Sequence, residues 1–409
     1  MIHLFLFDVD SVLVEPGGYS RALQDTVSHF SRLMGLGDLP PSEEDIQTFE
    51  AEGLTSEWDS GAMCVVALLL QRFRHQPDLH LPNRWSEAQP LLAAQPISLP
   101  KPDYAALARQ AGERIAAGMT PVKALQAVLH CQARALLAER GTPALLSLLD
   151  ELAGQPHDLY RSPVTRYFQC LALGDEAVAQ TYGIAPVAKT PAYLLTYDRA
   201  NLCAASRARL QEAIAAGRVH AALFTLRPSL PPAGVAGPLA GYSPEAELAR
   251  SLVGLEACPL IGLGRMQWLA AQSGHAVRDL IKPSPVQALA AIAAAFCRQE
   301  VPALHAALAL AQEGALEPPL GALKSAQVRV HIFEDSPVGM AAVRRATGLL
   351  LEAGIDCTHR PYGIVPAGGP KAEAMTTQGV AIYPSVNEAL AEALAQQAAG
   401  PTTPADDSA

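Results

Sequence analysis

His3-Leu4-Phe5-Leu6-Phe7-Asp8-Val9-Asp10-Ser11-Val12-Leu13-Val14 opens the chain with an apolar run broken by two aspartates one residue apart. A continuous run of Leu, Phe and Val suits a strand buried on both faces of a parallel sheet. Burying a carboxylate is costly unless a cation or hydrogen bonds compensate it. Two of them at the end of a central strand therefore mark a ligand edge, because open α/β sheets bind ligands at their carboxyl ends. Strand alternation places Asp8 and Asp10 on one side of the chain, where they can share a ligand. An isolated Asp-x-Asp is more often the start of a turn, so the meaning of this pair depends on residues far away in the chain.

Working outward, helical spacing covers 19–34 (Leu23, Val27, Phe30 and Leu33 on one stripe) and stops at Gly35. Ser42 and Asp45 predict a capping box for a helix through Phe49. A helix follows over 58–73, then a connector from Pro77 to Pro102 with six prolines, which predicts an extended strap. Helices resume over 103–117, 121–139 and 143–153. Thr120-Pro121 and Thr142-Pro143 place an N-cap before proline at the first helical position of the last two. Strand signals are scarce between 16 and 190.

Beyond 200 the pattern alternates. Helix 199–216 leads to strand 219–226, helix 245–254, strand 259–263 and helix 266–272. Lys282 precedes helix 286–298, and a further helical stretch leads to strand 328–333. That strand runs straight into Glu334-Asp335 and a helix over 339–351, followed by strand 380–383 and helix 385–397. This organisation predicts a Rossmann-like, doubly wound parallel α/β core from 1–15 and 200–397. Residues 16–199 are then a large, mainly helical insertion forming a cap over the strand ends, and 398–409 a disordered tail.

Composition bounds the function. With 409 residues, half hydrophobic and 17% charged, the body of the chain can build a real core and is not disordered. A net charge of -10 without any basic run argues against nucleic acid as a partner. Seven scattered cysteines without a CxxC pair fit reduced thiols rather than a disulfide framework or zinc site. The N-terminal run lacks a basic flank and the apolar stretch 288–297 is too short to span a bilayer, so a cytoplasmic protein with no membrane partner is expected. Nothing in the sequence specifies an oligomeric state.

Asp8/Asp10, Thr225, Lys282 and Glu334/Asp335 thus fall at the ends of separate strands or just before a helix. Four carboxylates in one pocket repel one another unless a hard cation neutralises them. Oxygen ligands without Cys or His favour Mg2+. A cation, a lysine, a hydroxyl and one carboxylate free to attack together suit phosphoryl transfer, with the carboxylate as nucleophile and an aspartyl-phosphate intermediate. Each residue also has an ordinary alternative: Lys282 as a solvated lysine, Thr225 as a strand-end hydroxyl with Thr196 as its rival, Glu334-Asp335 as a helix N-terminal acid pair.

The set Asp8-Val-Asp10-Ser-Val, Thr225, Lys282 in Lys-Pro-Ser-Pro, and Glu334-Asp-Ser-Pro-Val-Gly-Met340 resembles the haloacid dehalogenase (HAD) superfamily, in its phosphoglycolate phosphatase and β-phosphoglucomutase-like branch. The resemblance implies Asp8 as nucleophile and metal ligand, and Asp10 as general acid/base that also reaches the metal through its backbone carbonyl. Thr225 and Lys282 would hold the phosphate, Arg227 would assist beside the phosphate loop, and Glu334 with Asp335 would complete a Mg2+ site. A Mg2+-dependent phosphatase acting on a small phosphorylated metabolite is the implied activity, with a phosphomutase or a non-catalytic scaffold as alternatives. Ser11 stands where the family usually has glycine, Leu226 where a polar residue is common, and 299–326 reads as an extra insertion. Trp58, Asp59, Arg161 and Arg166 are read as structural residues of the inserted helices.

Overall fold

The computed structural model describes residues 1–399 apart from 77, 141–143, 240 and 367. The Thr142-Pro143 cap lies outside these residues, as does the expected tail from 400 on; 398 and 399 end the last helix. The described residues form two compact units, one of residues 1–16 with those from 198 on, the other of residues 17–197. No helix among the described residues is long and apolar enough to cross a membrane.

Among its described residues the first unit carries eight strands: β1 (Ile2–Phe7), β2 (Val14–Glu15), β3 (Arg199–Ala200), β4 (His220–Phe224), β5 (Leu260–Ile261), β6 (Val328–Glu334), β7 (Cys357–Ile364) and β8 (Ala381–Tyr383). Six of them make one sheet in the order β5-β4-β1-β6-β7-β8, and every neighbouring pair is parallel. Leu4 and Leu6 of β1 pack with residues of the helices Leu263–Ser273, Pro285–Cys297, Glu300–Glu313 and Pro337–Glu352. Phe5 and Phe7 pack on the opposite face with residues of Ala204–Ala215, Glu245–Leu252 and Val386–Ala399. With helices on both faces, every side chain of β1 after Ile2 is buried, which is why its sequence is apolar without alternation. Each such Leu or Phe contributes about 2 kcal/mol. This is a Rossmann-like α/β architecture. The chain winds away from β1 in both directions, through β4 to one side and β6 to the other, so the carboxyl end of β1 lies at the switch point where such sheets bind ligands.

Two elements differ from expectation. β7 is an eight-residue inner strand where no strand is expected, because Cys-Thr-His-Arg-Pro-Tyr-Gly-Ile carries a proline, a glycine and exposed polar residues that suppress a strand signal. Arg199 and Ala200 do not start a helix: they pair antiparallel with Val14 and Glu15 as a short ribbon, and the helix begins at Ala204. The stretch 299–326 contains the helix Glu300–Glu313, whose Ala303, Leu304, Ala307 and Leu310 join the core with Leu320 and Leu323.

On the Phe5 face, aromatic side chains stack across strands. Phe7 lies 4.5 Å from Phe333 and Phe333 4.8 Å from Tyr362, ring centre to ring centre, one residue before the acids at the sheet edge. A layer below, fully buried His331 bonds His3 at 3.1 Å and the Tyr362 hydroxyl at 3.2 Å. Burial, with the neighbouring His3 and arginines, pulls the His331 pKa from 6.5 to about 3. A lowered folded-state pKa means stability that is whole above the unfolded value and drains as pH falls toward the folded one. Urea denaturation is therefore expected to lose about 2 kcal/mol between about pH 7 and pH 5, and His331→Asn to lose less over that interval.

The regular elements among the second unit's described residues are all helices: Gly18–Leu33, Glu43–Ala51, Glu57–His75, Trp85–Ala93, Tyr104–Ala116, Pro121–Arg140, Ala144–Ala153, Pro163–Leu173, Asp175–Tyr182 and Tyr193–Thr196. Glu57–His75 is buried on all sides from Asp59 to Phe73, the mark of a central helix. Ser42 and Asp45 form the expected capping box. The proline-rich strap is not simply extended. Trp85, Ala88 and Leu92 recur at helical spacing and are buried, and fully buried Arg72 ties the segment down by donating to the carbonyls of Met34, Leu92 and Gln95.

Candidate active site

Strand register assembles the first half of the site. β1 and β6 pair Phe7 with Phe333, so the next residues, Asp8 and Glu334, emerge side by side, and the Asp8 amide donates to the Phe333 carbonyl at 2.9 Å. Asp8, Glu334 and Asp335 bring one carboxylate oxygen each within 4.8 Å of one another. Lys282 enters from the loop just before the helix Pro285–Cys297: its Nζ lies 3.1 Å from Asp8 Oδ1 and 2.8 Å from Glu334 Oε2, and 4.0 Å above the Phe224 ring. Asp8, Lys282 and Glu334 are all buried. Burial and the neighbouring Glu334 charge push the Asp8 carboxyl well above the usual range, against the pull of Lys282. Burial acts to lower the Lys282 ammonium, but the charges and hydrogen bonds of Asp8 and Glu334 outweigh it and raise the pKa.

Neighbouring groups hold these side chains in place. The buried Gln287 amide donates to the Thr225 and Ile261 carbonyls at 2.8 and 3.1 Å, and accepts from the Lys282 amide at 3.2 Å. One residue thus ties the ends of β4 and β5 to the lysine loop, a role visible only in three dimensions. Ser284 caps the following helix with proline at its first position. Glu334 takes its second bond from Ser336 Oγ at 2.8 Å, and Ser336 in turn caps the helix Pro337–Glu352. A Cβ at Gly339 would stand 1.9 Å from Glu334 Oε2, so only glycine leaves room for the carboxylate. Gly339→Ala is expected to cost about 2 kcal/mol in thermal denaturation, through overpacking of a filled site, and to weaken divalent cation binding in calorimetry.

The Asp10 carboxylate stands outside this triad. β1 ends at Phe7, and the chain turns back with Leu13 and Val14 amides donating to the Val9 carbonyl, so strand alternation no longer applies at position 10. Its carboxylate is absent from the triad of Asp8, Glu334 and Asp335 and instead accepts from Arg227 Nε at 2.8 Å. The same guanidinium reaches Asp198 at 2.9 Å. Arg227 is 3% exposed and clamped between two carboxylates, not open to a substrate as the sequence implies. Asp198 carries no motif signal. Thr225 Oγ1 accepts from the Arg227 amide at 3.1 Å, leaving its own proton to donate to an anion. Ser11 adopts φ 62°, the left-handed region where glycine is the easy choice.

No family model and no curated protein matches the chain. One solved structure is similar. It is the X-ray structure of a Northeast Structural Genomics Consortium target, with a TM-score of 0.64 and 12% identity over 97% of this chain and 100% of that one. At that identity the likeness speaks for the fold alone.

Three carboxylates with no Cys or His among them match a hard divalent cation such as Mg2+. That two lysines, Lys282 and Lys371, are drawn onto the triad shows how strongly these acids call for positive charge. The other sequence candidates have structural partners. Thr196 donates to the Ala192 carbonyl, Trp58 to Gln169, and Arg166 to the Ala185 carbonyl. Asp59 pairs with His157 and Arg161 with Asp158.

Proposed function

We propose that the first unit is a Mg2+-dependent phosphohydrolase of the HAD type, acting on a small phosphorylated metabolite through a phospho-aspartate on Asp8. The observation that carries this is the meeting of Asp8, Glu334 and Asp335, from distant parts of the chain, with a buried lysine bonded to the first two. Bound to Asp8, Glu334 and Asp335, the cation would neutralise the acids and polarise the phosphoryl oxygens.

In the proposed reaction, Asp8 attacks phosphorus with one carboxylate oxygen while the bond to the leaving oxygen breaks. Asp10 supplies the leaving group's proton and then takes one from the attacking water, whose oxygen displaces Asp8 and releases inorganic phosphate. Arg227, itself anchored on Asp198, keeps the Asp10 carboxylate in place. Lys282 and the Thr225 hydroxyl offer positive charge and a hydrogen bond to the phosphoryl oxygens.

The test is release of p-nitrophenol from p-nitrophenyl phosphate with and without Mg2+, by wild type and Asp8→Asn. Metal-dependent release that disappears in the variant supports the enzyme. No release from this ester or from a panel of phosphorylated metabolites would favour a scaffold, and bisphosphate-dependent isomerisation of a sugar phosphate would favour a mutase.

A further inference from the structure

The triad's outer acid already has a cation of its own. Asp335 Oδ2 lies 2.6 Å from Lys371 Nζ, from the start of the helix Pro370–Thr377. The two lysines at the triad differ in kind. Lys282 is buried and pinned between Asp8 and Glu334, whereas the Lys371 side chain is 62% exposed and meets only the outermost acid. Beside this pair lies a cavity of about 580 Å3, bordered by Ser11, Asn201, Asp335, Val365, Lys371 and Pro384 among others.

We infer that Lys371 is a displaceable counter-ion that competes with the divalent cation for Asp335. This rests on the cation site proposed above. Two positive charges on one carboxylate repel, and the exposed Lys371 ammonium returns to water when it leaves Asp335, whose side chain is only 13% exposed, so the pair gives way when a dication takes over the neutralisation of that acid. The cavity gives the ammonium somewhere to go without repacking the core. In the absence of the dication, Lys371 neutralises an acid that would otherwise add to the repulsion on Asp8 and Glu334, so affinity for the cation is set partly by this exchange.

The test is calorimetric titration of Mg2+ alone into the full chain, comparing wild type, Lys371→Met and Lys324→Met. Lys324 lies before β6, at the amino end of the sheet, and its replacement makes the same change in net charge. Lys371→Met is expected to bind Mg2+ at least about threefold tighter than wild type, with Lys324→Met close to wild type. Equal affinity in wild type and Lys371→Met, or equal tightening by both variants, would overturn the counter-ion role while leaving the cation site standing. Wild type that takes up no Mg2+ would overturn the cation site, and the counter-ion role with it.

Discussion

Asp8→Asn is expected to lower phosphate release by at least about a thousandfold while making the metal-free chain more stable than wild type. The first effect follows from losing the proposed nucleophile, since an amide oxygen is a poor one. The second follows from the electrostatics. Asp8 and Glu334 are buried side by side, and burial together with the Glu334 charge works against ionisation of Asp8. Removing that charge relieves repulsion while Lys282 keeps its 2.8 Å bond to Glu334. A gain of about 1 kcal/mol is expected from urea denaturation without divalent ions, because functional sites hold charges together at the expense of stability. With Mg2+ the order should reverse, since ligand that binds the native state stabilises it and the variant has lost one ligand. A variant both inactive and less stable in metal-free buffer would contradict this account of the site's electrostatics.

Arg227→Met is the second large effect. The guanidinium lies between Asp10 and Asp198, and the Asp198 side chain is fully buried. Removing one partner of a buried ion pair costs about 3–5 kcal/mol. Asp198→Asn in the same chain should recover most of that loss, since the stranded charge is then gone, whereas Asp198→Asn alone should be destabilising. Thermal unfolding of the two single variants and the double variant measures the coupling. Activity should behave differently: the double variant regains stability but not turnover, because Asp10 has lost the group that orients it. Additive stability losses would show that Arg227 acts through packing alone.

How far these features could be read from the residues depends on how local their causes are. β1 was legible because burial on both faces demands an unbroken apolar run, and the carboxylates that end it are conspicuous against that background. The Ser42–Asp45 capping box and the helix start at Pro285 are local hydrogen-bond and backbone effects, so they too were plain. β7 was not, because an inner strand tolerates Pro361 and Gly363 only where the sheet supplies the context. Nor was the helix Trp85–Ala93, hidden under prolines and held by a buried arginine on another helix. In the site, Asp8, Glu334 and Asp335 are drawn together by strand register, which apolar patterning encodes indirectly, and Lys282 joins them from the loop before the helix Pro285–Cys297. The Asp10–Arg227–Asp198 clamp, the Gln287 bridge and the Lys371–Asp335 pair join residues at sequence separations of 217, 62 and 36, or sit where no motif points. Strand alternation failed at Asp10 because the chain leaves the extended conformation two residues earlier, a turn that Ser11 in the left-handed region helps to close.

During turnover the phosphoryl group is expected on Asp8. Acid quenching of the protein during turnover of p-nitrophenyl phosphate with Mg2+, followed by peptide mass spectrometry, tests it most directly. A phosphoryl adduct is expected on Asp8, in the N-terminal peptide, and is expected to be lost on omission of Mg2+ and in Asp8→Asn. Turnover with an unmodified Asp8, or an adduct on another residue that survives Asp8→Asn, would contradict it.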